Sequence, residues 1–249
     1  MQSIDAALFM FAPLMALLFL GVPVAFALIT VAAVFGLWHF GDSVVHLFVG
    51  KVQEIAASHA LAAAPLFVFM GAMLERSGTA ERLFEVIHMW TRRLPGGLAV
   101  GTIIMCVLFA ASSGVVGATE TVVGMLAIPV MLRHGYDKGL ISGTICAGGS
   151  LGSIIPPSVL VVILSLIAEI GIGDMFAGML FPGLMLAGLY VLYILIRCGV
   201  DPKIAPRVSE ADDTMPLGAK LRLTLVALLP PIALIFLVLG TILGGMAVP

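Results

Sequence analysis

The chain has 249 residues, of which 61% are hydrophobic and only 10% are charged, and its mean hydropathy is +1.20. Soluble domains are about half apolar and about a quarter charged, so this composition excludes a soluble enzyme, a disordered chain and a disulfide-stapled secreted domain. The formal net charge is −2, and no basic run points to a nucleic-acid partner. We interpret the chain as an integral protein of the lipid bilayer.

Stretches without charged residues mark the predicted membrane spans, because a helix that crosses the hydrocarbon core needs about 20 mostly apolar residues. They are 6–41, 55–74, 94–119, 121–132, 139–168, 175–196 and 223–249. This pattern predicts an all-α polytopic membrane protein.

Residues 1–61 are predicted to form an N-terminal scaffold span followed by an interfacial helix. Pro23 divides the first apolar stretch, which fits either one long kinked helix or a helix with a short lead-in. No basic n-region or small-residue cleavage site precedes it, so we expect a retained span rather than a signal peptide. In 42–61, apolar residues fall near one face and Lys51 and Glu54 near the other, as in a helix that lies in the membrane interface.

Basic residues predict the orientation, because Lys and Arg concentrate on the cytoplasmic side of a membrane. They cluster in 76–93, at Arg133 and Lys138, and in 197–222, whereas the turn 169–174 carries only acidic charges. The basic segments are therefore placed inside and the acidic turn outside.

The rest of the chain divides on the same basis. A span and a cytoplasmic amphipathic helix occupy 62–93, a broken transmembrane helix occupies 138–170, and a span with a cytoplasmic polar loop occupies 175–222. Residues 94–132 must leave one side of the membrane and return to it, with barely enough length for two spans and a turn. A re-entrant hairpin with its tip at mid-membrane fits this segment better.

Polar residues interrupt the middle of the predicted hairpin at Ser112, Ser113 and Gly114. Irregular backbone persists in lipid only where protein buries it or where it lines a wet cavity. A turn near Gly114 brings together one helix end that offers carbonyls to a cation and another that offers N–H groups to an anion. The alternative is that these small residues simply let helices pack closely.

Glu120 follows the predicted tip and places a carboxylate within an apolar stretch. Such a charge costs roughly 2.5–3.5 kcal/mol at the bilayer centre, so it usually faces the bundle interior and has a function. Two interpretations stay open for Glu120 and its neighbour Thr119: a counter-charge at the site, or support of the hairpin.

The second polar segment lies inside the predicted broken helix. Proline lacks an N–H and clashes with the carbonyl four residues earlier, so Pro156 frees the carbonyl of Gly152 and Pro157 frees that of Ser153. With the hydroxyls of Ser153 and Ser158, these carbonyls form a cluster of hard oxygens suited to Na⁺, and broken helices recurrently build such sites in transporters. The alternative is a kink repaired by neighbouring hydroxyls.

An enzyme is not predicted. A serine nucleophile at Ser113 would need a His or Lys base within reach, and no charge-free span after it contains a histidine. The metalloprotease pattern H-E-x-x-H is also missing from the sequence.

Five motifs together resemble the large membrane subunit of tripartite ATP-independent periplasmic (TRAP) transporters. They are P-L-F-V-F-M-G (65–71), S-G-x-A-E-R-L-F (77–84), S-S-G (112–114), G-S-I-I-P-P-S (152–158) and I-G-D-M-F-A-G (172–178). The resemblance covers essentially the whole chain.

The resemblance implies the first of two inverted repeats of an elevator-type ion transporter in a bacterial inner membrane. It implies Na⁺-coupled uptake of organic acids, such as a C4-dicarboxylate or sialic acid, together with a small membrane subunit and a periplasmic solute-binding protein. By motif, 112–114 would be the tip of the first hairpin and 152–158 the first broken helix, and between them they would hold one Na⁺ and one side of the substrate pocket. Within these stretches the carbonyl argument assigns the substrate-binding residues as Ser112, Ser113, Gly114, Pro157 and Ser158. The Na⁺ ligands would come from Ser113, Gly152, Ser153 and Pro156.

The family's subunit is considerably longer than this chain, which shows one hairpin and one broken helix. Residues 223–249 are therefore expected to be the truncated start of a second repeat, with Val248 in place of an expected Thr, and the chain is not expected to transport alone. Two other functions stay open: a Na⁺/dicarboxylate symporter without a binding protein, and a non-transporting membrane scaffold fragment.

Overall fold

The computed structural model describes residues 2–57, 59–114, 116–206 and 217–246. These residues form eleven α-helices and one 3-10 turn, without a strand among them. The all-helical class predicted from the sequence is thereby confirmed, whereas the elevator architecture and its repeat stay predictions. The chain divides into two compact units, residues 1–58 and 59–249.

The first unit contains α1 (Gln2–Phe19), α2 (Val24–Phe40) and α3 (Ser43–Ala56). Instead of one kinked helix or a short lead-in, the apolar stretch forms two full helices. Pro23 immediately precedes α2, where a missing N–H breaks no helical hydrogen bond.

The α3 helix has the amphipathic character predicted for it. Its exposed face carries an ion pair between Lys51 and Glu54, 3.0 Å apart, while Val44 is buried against α2. A Cβ atom on Gly36 would lie 2.5 Å from Cγ2 of Val44, so the absence of a side chain there lets α2 and α3 approach closely.

The second unit holds the remaining helices. They are α4 (His59–Arg76), α5 (Thr79–Thr91), α6 (Gly97–Ser113), α7 (Val116–Arg133), α8 (Lys138–Ser150), the 3-10 turn (Leu151–Ser153), α9 (Val159–Ala168), α10 (Ile172–Val200) and α11 (Leu217–Leu243). The centre is α6, which packs against α4, α5, α7, α8, α10 and α11. Its residues Ile103, Met105 and Phe109 are at most 1% exposed, so α6 is the core helix around which the others are placed.

Within the part of the chain that the structure describes, two helices are long and apolar enough to cross a membrane, Ile172–Val200 in α10 and Gly218–Leu243 in α11, and several others are shorter and apolar. Large apolar side chains project outward from both, including Phe181 and Phe236 at about three-quarters exposure. Such a surface is costly in water but not against lipid tails. The structure therefore agrees with the membrane class predicted from composition.

The predicted polar loop 197–222 begins later than expected, because α10 continues to Val200. Arg197 lies in its last turn, where a cation interacts favourably with the helix dipole. The Asp137 N–H donates to the carbonyl of Ile204 at 2.9 Å, which ties the start of this loop to the α7–α8 turn. Its middle, 207–216, and the chain end, 247–249, lie outside the described residues.

Outside the predicted spans, α5 packs its apolar face inward and carries His88. The imidazole Nε2 is buried and has no hydrogen-bond partner among the described residues. Burial lowers the pKa of His88, and repulsion from His134 and Arg92 lowers it further. His88 is therefore a neutral, packed side chain at pH 7.

Candidate functional site

The segment around Ser112–Gly114 forms the tip of a helical hairpin. The α6 helix ends at Ser113, Gly114 takes the left-handed conformation with φ of 62°, and its N–H donates to the carbonyl of Ala110 at 3.0 Å. Glycine is the usual residue for this helix ending. The α7 helix starts at Val116 and packs back along α6. That this tip stops inside the membrane stays a prediction.

The proline pair lies in a true interruption between two helices. The α8 helix ends at Ser150, a 3-10 turn follows, and the backbone is irregular until α9 begins at Val159. The Ile155 N–H donates to the carbonyl of Leu151 at 2.8 Å, so the chain leaves helical geometry just after that residue pair. The break therefore coincides with the motif G-S-I-I-P-P-S.

The hydroxyls of the break bond to its own backbone. The hydroxyl of Ser158 donates to the carbonyl of Ser153 at 3.1 Å, and that of Ser153 donates to the carbonyl of Ser150 at 2.7 Å. A carbonyl oxygen has two lone pairs, so the Ser153 carbonyl keeps one for a further ligand. The serine hydroxyls therefore repair part of the break, as the alternative interpretation expects. The Ser153 carbonyl can still bind a cation.

The hairpin tip lies directly against the helix break. A Cβ atom on Gly114 would lie 2.5 Å from the carbonyl oxygen of Pro157 and 3.4 Å from Cα of Ser158. The N–H of Val159 donates to the carbonyl of Gly114 at 3.4 Å. Two segments more than forty positions apart in the chain are therefore in contact through their backbones.

Three helix ends meet at this contact, namely the C-terminus of α6 and the N-termini of α7 and α9, and the C-terminus of α8 lies before the 3-10 turn that leads to it. The C-termini of α6 and α8 offer carbonyls with partial negative charge, and the N-termini of α7 and α9 offer N–H groups with partial positive charge. Among the described residues, no group of three or more His, Cys, Asp or Glu side chains could hold a metal ion. A cation bound here would be held by carbonyl and hydroxyl oxygens, and an anion by the α7 and α9 N-termini.

The structure describes the side chain of Ser112, one of the two serines predicted at the hairpin tip. Ser112 is fully buried, and its hydroxyl lies 2.9 Å from the carbonyls of both Leu108 and Phe109. Such bonding to the preceding turn is common for serine in helices. Ser113 ends α6, but its side chain, assigned above to both ligand sets, lies outside the described residues.

Glu120 contacts α8 rather than the tip. A Cβ atom on Gly149 would overlap Cγ of Glu120 and lie 2.6 Å from its Oε1. Thr119, beside it in α7, is fully buried. Because only a glycine leaves room for this carboxylate side chain, the contact fixes how α7 lies on α8.

Three glycines hold the break and the end of α8 close to neighbouring helices. A Cβ on Gly148 would lie 2.6 Å from Sγ of Cys106 in α6, and one on Gly183 would lie 3.1 Å from Cγ1 of Ile155. Gly149 contacts α7 in the same way. Through these three glycines, α8 and the break approach α6, α7 and α10 closely. The adjacent pair Gly148–Gly149 was the available signal, because a small-residue pair in a membrane helix marks close packing.

Comparison with known proteins gives a consistent set of matches. Residues 11–249 match the family described as "Tripartite ATP-independent periplasmic transporter, DctM component". The C4-dicarboxylate TRAP transporter large permease protein DctM of Vibrio cholerae is 33% identical over 201 residues, which is 80% of this chain and 44% of that protein. Its namesake in Pseudomonas aeruginosa is 37% identical over 170 residues, 68% of this chain and 39% of that protein.

A relative with another named solute matches along most of the chain. The ectoine/5-hydroxyectoine TRAP transporter large permease protein UehC of Ruegeria pomeroyi is 29% identical over 243 residues, 96% of this chain and 54% of that protein. The chain thus spans about half the length of the curated relatives it matches.

Proposed function

Because the chain belongs to the DctM family of tripartite ATP-independent periplasmic transporters, we propose that it forms one half of the permease site for Na⁺-coupled uptake of an organic acid. The family is one of transporter permeases rather than enzymes, in agreement with the resemblance carried by the motifs. The observation that carries the proposal is the contact between Gly114 and the Pro157 carbonyl.

In this proposal the two kinds of helix end have different ligands. The carbonyls at the C-terminus of α6 and in the break that follows α8 bind Na⁺, with Ser113, Gly152, Ser153 and Pro156 supplying the oxygens. The N-termini of α7 and α9 face the carboxylate of the solute, beside Ser112, Gly114, Pro157 and Ser158. Hydration is replaced by fixed backbone dipoles in both cases, as at discontinuous helices of other transporters.

We assign Glu120 to support of the hairpin rather than to the ion. Its side chain packs on Gly149, one turn before the break, which is a position that sets the angle between α7 and α8. Thr119, buried at the same level, belongs to the same support. In this role the carboxylate fixes the distance between tip and break without touching Na⁺.

The solute and partners are also proposals. The names of the first two relatives support a C4-dicarboxylate, and the ectoine relative indicates that the same fold serves other solutes. We propose that the chain acts in a bacterial inner membrane with a small membrane subunit and a periplasmic solute-binding protein.

Uptake of labelled succinate into vesicles tests this proposal in the complete transporter that contains the chain. We expect uptake only when the soluble binding protein is added outside and a Na⁺ gradient points inward. The binding protein delivers the solute, and the Na⁺ gradient supplies the driving force. Vesicles with a K⁺ gradient of the same size are the control. Uptake without the binding protein would instead favour a self-sufficient Na⁺/dicarboxylate symporter.

A further inference from the structure

A groove separate from the proposed site lies between α8 and α10, near the end of the unit that holds the α7–α8 turn. Both helices pack against α6, and the groove between them has a volume of about 570 Å³. Ile103 of α6 and Leu140, Ala147 and Leu189 contribute apolar lining. It therefore offers an apolar channel that opens toward the surroundings of the protein.

One wall of the groove is polar at its end. Tyr190, Tyr193 and Arg197 follow one another at helical spacing along α10, so they lie on the same face. Arg197 makes no ion pair or hydrogen bond to another described residue. The groove therefore runs from apolar side chains to aromatic rings and then to an exposed cation.

The opposite wall belongs to α8 and is nearly flat. Gly139 and Gly143 lie one turn apart on it, and a Cβ on Gly143 would have no atom within 4 Å. Thr144 also lines the groove, and its buried hydroxyl has no hydrogen-bond partner among the described residues. The wall thus leaves both room and an unused hydrogen-bonding group.

The acidic residue of the groove is already engaged. Asp137 accepts a hydrogen bond from the N–H of Leu140 at 3.1 Å, which caps α8. A carboxylate at a helix N-terminus is stabilised by the helix dipole. Arg197 is the cation among the described residues that line this end of the groove.

We propose that this groove binds an anionic phospholipid, with an acyl chain along Gly143 and Ala147 and the phosphodiester at Arg197. Apolar length, tyrosines and a terminal cation follow the order of hydrocarbon, interface and headgroup in a lipid monolayer. Basic pockets between membrane helices on the cytoplasmic side bind anionic headgroups, and the basic loops of this chain are predicted to lie on that side.

Native mass spectrometry of the purified chain, exchanged into detergent with equal amounts of phosphatidylglycerol and phosphatidylcholine, tests the proposal. We expect one retained phosphatidylglycerol, preferred about fivefold, since a basic residue near a membrane contributes about 1 kcal/mol to such binding. Arg197→Gln should abolish the preference, and Arg82→Gln, at an exposed position of α5 outside the groove, should leave it unchanged.

A second pair of variants tests the acyl channel separately from the charge. Gly143→Leu fills open space in the groove, so we expect retention of either lipid to fall at least about fivefold without loss of thermal stability. Gly178→Leu, also open but at the other end of α10, is the matched control and should bind as the unmodified chain does. The proposal is overturned if the unmodified chain retains no phosphatidylglycerol, or if Arg197→Gln and Gly143→Leu retain as much as their controls.

Discussion

Replacing Gly114 by alanine is expected to weaken Na⁺-dependent stabilisation of the chain and to reduce solute uptake by the complete transporter. Two costs add at this position. A non-glycine residue in the left-handed conformation costs about 1–2 kcal/mol, and the new Cβ would stand 2.5 Å from the Pro157 carbonyl oxygen. Because the second contact is with backbone, relief requires the tip and the break to move apart.

We expect Na⁺ binding to the Gly114→Ala variant to weaken at least about tenfold, which corresponds to about 1.4 kcal/mol. Gly117→Ala is the matched control. It changes a glycine only three positions away, where a Cβ meets no atom within 4 Å and φ is not positive. The melting temperature of each variant in a NaCl titration measures its Na⁺ binding. Equal increases in the two variants would show that the hairpin tip is not part of the Na⁺ site.

The double substitution Pro156→Ala and Pro157→Ala is expected to have a comparable effect by the opposite route. Each proline prevents a helical hydrogen bond and costs about 3 kcal/mol inside a helix. Alanine at both positions lets α8 continue toward α9, so backbone N–H groups take up the carbonyls of Gly152 and Ser153. We expect the protein to stay folded but to lose at least about tenfold in Na⁺ affinity.

Circular dichroism with and without Na⁺ distinguishes this outcome from simple unfolding, because helix content should be kept or slightly raised. Pro129→Ala is the control, since Pro129 lies inside α7 and is exposed. Unchanged Na⁺ stabilisation in the double variant would falsify the assignment of the freed carbonyls to the ion.

The sequence predicted the two polar segments and the residues in them, because both interrupt apolar stretches where irregular backbone is costly. It did not predict that Gly114 would contact Pro157, because contacts between distant backbone segments depend on how α6, α8 and α9 pack. The contacts of the glycines at 148, 149 and 183 were not predicted for the same reason. A glycine allows close packing wherever another helix approaches it, and the sequence does not show which helix that is.

The N-terminal stretch shows a different limit. Pro23 was interpreted as a kink or as the end of a short lead-in, whereas two helices of similar length flank it. Proline favours both an interrupted helix and the first turn of a new one, so the residue alone does not choose between them. The amphipathic pattern of α3 was unambiguous, because one helix face contains its charges.

In our proposal, the hairpin tip and the helix break together form a Na⁺ site. Its most direct test is the melting temperature of the purified chain in NaCl, KCl and choline chloride at equal ionic strength. We expect a saturable rise of several degrees in Na⁺ alone, since a ligand at 100 times its Kd stabilises the folded state by about 2.7 kcal/mol. The same rise in all three salts, or none in NaCl, would contradict the claim.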